Sequence, residues 1–129
     1  MTEPIYTYDQ DSDILYISFS PGKKGTGIEL NDHILLRLNK TEHRAIGLTL
    51  FDYSVLAQPT ELGPRSFPLT GLSELSDELR QLVLEVITMP PVNEILTLSA
   101  YTPSLAETIP IGSVRVQSHL AGTPLARAA

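Results

Sequence analysis

The chain has no cysteine in its 129 residues. That excludes disulfides, thiol catalysis and thiolate metal sites. No apolar run approaches the ~18 residues that a membrane-spanning helix needs, so no membrane span is expected. The opening MTEPIYTYD is acidic and lacks the charged-then-apolar order of a secretory signal. A basic excess is also missing: 15 Asp and Glu stand against 9 Lys and Arg, for a net charge of −6. Phosphate backbones select basic faces, so nucleic acid is not an expected partner. No block of like charge marks an interaction arm. These absences together favour the cytoplasm.

What is present is a globular composition, 42% hydrophobic. The first fifty residues alternate with a period of two, the signature of half-buried strands. Leu15, Ile17 and Phe19 form one row, and Ile28 and Leu30 a second. Ile34, Leu36 and Leu38 form a third, and Ile46, Leu48 and Leu50 a fourth. The reverse rows are mixed, as in an antiparallel sheet with one buried side. DQDS separates two strands, PGKKG has the composition of a hairpin loop, Asn31–Asp32 reads as a tight turn suited to left-handed backbone, and NKTEHR links the next pair. Such short connections predict that sequential strands pair as a meander.

After Phe51 the period changes. DYSVLA suits a short helical turn with Asp52 as its cap. Residues 58–71 read as a linker, broken by Pro59, Pro64 and Pro68. Residues 72–88 carry one helical stripe, Leu72, Leu75, Leu79, Leu82, Val83 and Val86, capped by Ser73 or Ser76 and ended by Pro90 and Pro91. Residues 94–116 read as a β-hairpin, and 117–129 as a flexible tail. The expected fold is α+β: one domain over 1–116, in which an antiparallel β-meander packs on the main amphipathic helix, followed by the C-terminal hairpin. Shifting the chain by 81 residues lays Asp13–Ser18 on Glu94–Ser99, and Ile28 and Leu30 on Ile109 and Ile111. That offset raises a truncated repeat of 13–35 within 94–116, although any two apolar hairpins align comparably.

Chemistry-bearing motifs are sparse. Asp9, Asp11 and Asp13 have the opening spacing of a calcium loop, but Ile14 stands where that loop needs glycine and Ser20 where it needs a bidentate glutamate. The simpler reading is a turn in which Asp9 or Asp11 accepts backbone amides. GKKGTG at 22–27 lacks phosphate-loop spacing and has no helix after it. His33, His43 and His119 show no metal-ligand spacing, and Ser54 has no nucleophile-elbow context. No catalytic, cofactor or metal residues are therefore assigned.

Tyr8, Asp9, Asp13, Leu15, Tyr16 and Ile17, then Glu29 and Leu30, then Gly47, Leu50, Asp52 and Ser54, form a pattern. Over residues 5–56 it resembles the bacterial family catalogued as domain of unknown function 2283. That resemblance implies a small β-rich bacterial domain without an established activity, and leaves room for an antitoxin-like role. Asn39 stands where that family has an aspartate and Thr49 where it has a glutamate, so no acid-dependent activity carries over to these positions.

The mixed reverse rows place Tyr16, Leu35, Arg37 and Thr49 on one face. Interfaces favour such residues. The expected role is a non-enzymatic protein-interaction module, acting as a homodimer or on a protein partner, unless the C-terminal strands cover this face. The alternative is a small-molecule-binding domain or small enzyme whose acids and histidines converge only in the fold.

Overall fold

A computed structural model describes residues 3–115. The first half forms β1 (Ile5–Asp9), β2 (Ile14–Ser18), β3 (Thr26–Asn31), β4 (Ile34–Asn39) and β5 (Arg44–Phe51). They build one antiparallel five-stranded sheet. Three of its turns are closed by a side-chain oxygen that accepts an amide just ahead. Asp11 N donates to Asp9 Oδ1 at 3.1 Å, and His33 N to Asn31 Oδ1 at 2.8 Å. Thr41 N and Glu42 N both donate to Asn39 Oδ1 at 2.9 Å. This is the local chemistry for which turns select Asp and Asn. Left-handed backbone falls elsewhere than expected: on Asp13, His43 and Asp52, not on Asn31 or Asp32.

The sheet is meander-like, but its order is β1-β2-β5-β4-β3. PGKKG is thus a crossing, not a hairpin loop. β5 takes the central place between β2 and β4, and there Ala45 through Leu48 are all buried, more continuously than in any other strand of this sheet. The link over residues 19–25 must span about 14 Å, three strand spacings, and reaches roughly 20 Å when extended. It passes the β4–β5 turn, tied there by Lys23 to Glu42 at 3.6 Å and by Arg44 Nη2 donating to Ser20 Oγ at 3.1 Å.

The four apolar rows form the core as read from the sequence, except at Ile46. The register of β4 on β5 jumps from Arg37–Gly47 to Leu38–Ala45, a bulge that skips Ile46. Ala45 takes the core position, and Ile46 is buried outside the main cluster. A Cβ on Gly25 would lie 3.1 Å from Ile46 Cγ1, so the crossing link itself packs over that side chain.

The second half closes the core. α1 (Tyr53–Leu56) follows β5 directly, but Asp52 makes no side-chain cap bond to it. The segment expected as linker is partly ordered: β6 (Phe67–Pro68) pairs with the later strands, and Leu69 is buried. The predicted helix over 72–88 begins later. Thr70–Glu74 is a 3-10 turn, Leu75 is extended, and α2 runs Asp77–Ile87. Of the two candidate caps, Ser76 serves, accepting Leu79 N at 3.2 Å. The delay has a cause: the 3-10 turn lies against β3, and a Cβ on Gly71 would overlap the Glu29 carbonyl oxygen. That turn covers an edge strand. Val83, Val86 and Ile87 of α2 join Leu15, Leu36 and Leu48 in one cluster.

β7 (Leu96–Ser104) and β8 (Glu107–Val114) form the C-terminal hairpin, and β6 makes it three-stranded at its base. Here the repeat fails. β7 and β8 pair directly through a tight turn, whereas β2 and β3 lie apart with β5 and β4 between them. The expected tail, 117–129, lies outside the described residues. Among the described residues, no helix is long and apolar enough to cross a membrane.

Candidate functional site

The residues singled out on the reverse face do come together. Tyr16 pairs with Thr49, Thr49 with Leu35, and Arg37 sits opposite Gly47. On the outer side Thr7 pairs with Tyr16, and Ile5 with Ser18. Tyr16 is 44% exposed and Ile5 50%, while Leu35 and Thr49 are half-buried. Gly47 leaves a groove of about 120 Å³ between Ile5, Tyr16 and Arg37. The C-terminal strands, the competing cover, send Leu96 and Val114 into the core cluster instead.

A second constellation lies where the β1–β2 turn meets α1. Asp13 adopts φ 58° and turns its carboxylate back on two segments. Tyr8 Oη donates to Asp13 Oδ1 at 2.6 Å. Ser54 N donates to Oδ1 at 3.0 Å and Ser54 Oγ to Oδ2 at 2.6 Å. Tyr53 N donates to the Asp13 carbonyl at 3.1 Å, and the Tyr8 and Tyr53 rings meet edge to face at 6.0 Å. Burial is the largest single influence on the Asp13 carboxyl and raises it. The bonds from Ser54 Oγ, Tyr8 Oη and Ser54 N together outweigh burial and hold the group below the ordinary aspartate value. Asp13 thus does for α1 what Asp52 was expected to do.

Residues 5–54 match the family model described as Protein of unknown function (DUF2283). No curated protein matches the chain, and no solved structure does. The matched segment is the five-stranded sheet plus its latch, ending on the serine that closes onto Asp13. Several positions of the sequence pattern thereby acquire structural reasons. Tyr8, Asp13 and Ser54 form the latch, and Leu15 and Ile17 are core. At Gly47 a Cβ would stand 2.7 Å from the Ile17 carbonyl oxygen.

The histidines meet carboxylates only at the surface. His33 Nδ1 lies 3.0 Å from Asp52 Oδ2, with both side chains well exposed and the Phe67 ring 6.3 Å away. His43 Nδ1 stands 4.0 Å from Glu85 Oε1 in an open groove it shares with Lys40 and Glu78. His119 is outside the described residues. Neither pair is screened from water, and the Ser54 hydroxyl is engaged by Asp13 rather than by an imidazole. Neither His33 nor His43 is placed to act as a general base on Ser54. In the aspartate turn, Asp9 accepts the Asp11 amide while Asp13 faces Ser54, and among the described residues no three His, Asp or Glu side chains are placed to hold a metal.

Sequence reasoning missed two features. One is the Asp13 latch, whose signal was the left-handed-tolerant aspartate just before a strand. The other is the outer part of the β7–β8 ribbon, where every residue from 99 to 108 is exposed. Tyr101 is 55% exposed, and Leu105 at the tip is fully so.

Proposed function

We propose that the protein is a non-enzymatic interaction module that associates with a second copy of itself through the β7–β8 ribbon and the open sheet face. The exposed ribbon carries this reading. β6 pairs with β8 at Ile111 and Gly112, and Leu69 N donates to Pro110 O at 2.9 Å; among the described residues, everything beyond is a lone two-stranded ribbon. Such ribbons are marginal in water without a further strand or a surface to pack on. Tyr101 and Leu105 supply the apolar groups for that packing. Two chains of net charge −6 repel each other, so contact belongs where acids are few. From Thr97 to Thr108 the only acid is Glu107, and Tyr16, Leu35, Arg37 and Thr49 include none.

Sedimentation velocity over a concentration series tests the reading. The wild-type chain is expected to dimerise, and Tyr101→Ser with Leu105→Ser to shift it to monomer with an unchanged circular dichroism spectrum. Tyr16→Glu should act in the same direction. A wild-type monomer at every concentration would sink self-association. The antitoxin-like role is the form of this reading in which the second chain is a different protein. It calls for a stoichiometric complex with that protein that the ribbon variant loses.

A further inference from the structure

Away from the sheet face and the latch, a groove of about 410 Å³ lies between α1, the segment after it and the second sheet. Its size falls in the usual range for small-molecule sites, which favour such junctions between packed units. Its construction begins in the sequence. After Ala57 the chain reads QPTELGPRSF, with prolines flanking a short polar stretch. Thr60 and Gly63 bridge each other: Thr60 N donates to Gly63 O at 2.7 Å and Thr60 Oγ1 to the same oxygen at 2.9 Å. That closure brings Pro59 and Pro64 to one wall of the groove. Leu56, Ala57 and Val114, all buried, make its floor. Proline walls lose little freedom when a ligand arrives, which is preorganisation.

Beside Thr97 and Ser113, the charged groups are of one sign. Arg65 and Arg115 both line the groove, and among the described residues no Asp or Glu does, in a chain where acids outnumber Lys and Arg 15 to 9. Arg65 is half-buried and aimed by its Nε, which donates to Gln58 O at 3.1 Å. Among the described residues it meets no carboxylate. Arg115 is held by Nε donating to Thr97 Oγ1 at 2.8 Å. Arg65, fixed through Nε, presents its Nη edge for planar, two-point recognition of an oxyanion.

We infer that this groove binds a small organic anion, a carboxylate carried on a short aliphatic body. The head rests on Arg65, and the body lies along Pro59, Pro64 and Val114. Apolar floor and cationic rim are both required, so neither an inorganic anion nor an uncharged aliphatic satisfies the site alone.

The test uses the full chain, isotope-labelled, titrated with octanoate, octanol and inorganic phosphate and read by amide and methyl chemical shifts. Octanoate is expected to saturate shifts at Ala57, Thr97 and Val114; octanol, which lacks the charge-assisted contact, and phosphate, which lacks the buried chain, should each bind at least about tenfold more weakly. Arg65→Gln should weaken octanoate by a similar factor while leaving resonances outside the groove in place. Arg65→Lys, which keeps the charge without the planar fork, should recover only part of the affinity. The proposal is overturned if octanoate gives no saturable shift, if phosphate binds as tightly as octanoate, or if Arg65→Gln leaves the affinity unchanged. Contacts from residues 116–129 to the Val114 methyls in the unliganded chain would also overturn it, by assigning the groove to the chain itself.

Discussion

Asp13 gathers three parts of the chain on one carboxylate: Tyr8 before the first turn, its own left-handed position after it, and Ser54 at the start of α1. The carboxylate must be ionised to accept all three bonds. Its acidity in the folded chain lies below the ordinary aspartate value, so the unfolded chain binds more protons across the window where it titrates. Its stabilising contribution is therefore complete above about pH 4, the unfolded aspartate value, and fades as pH falls through the lower folded value. Melting temperatures between about pH 5 and about pH 3 should drop less for Asp13→Asn than for wild type. Asparagine tolerates the same backbone and does not titrate, so although its amide nitrogen forfeits an acceptor, the difference in pH dependence reports the Asp13 carboxylate. Ser54→Ala should cost about 1–2 kcal/mol at neutral pH in chemical denaturation, because it removes one bond to a charged, half-buried group. A neutral result would mean that the latch does not hold α1.

At the scale of elements, close backbone approaches set what local propensity did not. Gly71 lets the 3-10 turn lie on the β3 edge, and this delays α2 to Asp77 although the leucine stripe starts at Leu72. Gly71→Ala should destabilise by more than about 2 kcal/mol, since the obstacle is backbone that cannot rotate away. Gly27→Ala is the control: its Cβ would meet only Leu35 Cδ1 at an ordinary 3.6 Å, and in a strand interior its effect should stay within about 0.5 kcal/mol. Both read out in the same denaturation series. The strands and their buried rows were legible because Leu15, Ile17, Leu36 and Leu48 alternate strictly. The placing of β5 beside β2 was not, because strand order depends on long-range pairing that no local period records. The bulge at Ile46 hid for a related reason. One extra residue leaves the sequence alternating while the side chain moves out of the core. Of the candidate site, the grouping of Tyr16, Leu35, Arg37 and Thr49 was legible from the same alternation. The Asp13 latch and the groove at Arg65 were not, because each joins segments far apart in sequence.

At the scale of the whole molecule, the segment that matches the family model and the buried core have different boundaries. The matched residues end at Ser54, yet the cluster around Leu15, Leu36 and Leu48 is completed by Leu72, Val83, Val86, Ile87, Val92 and Ile95. A sheet over residues 5–54 alone would leave its apolar face in water. Each large aliphatic side chain uncovered forfeits about 1.5–3 kcal/mol of burial. Net stabilities of small domains are only about 5–15 kcal/mol, so uncovering several such side chains is enough to unfold the sheet. A fragment ending at residue 56 should therefore lack the amide dispersion of a folded sheet in a two-dimensional NMR spectrum, and should regain it when residues 57–115 are supplied as a second fragment. A well-dispersed spectrum from the short fragment alone would mean that the sheet covers its apolar face in another way, the simplest being a second sheet packed against it. That outcome would move self-association from the ribbon to the core face, and would make α2 and the second sheet of this chain a substitute for a partner.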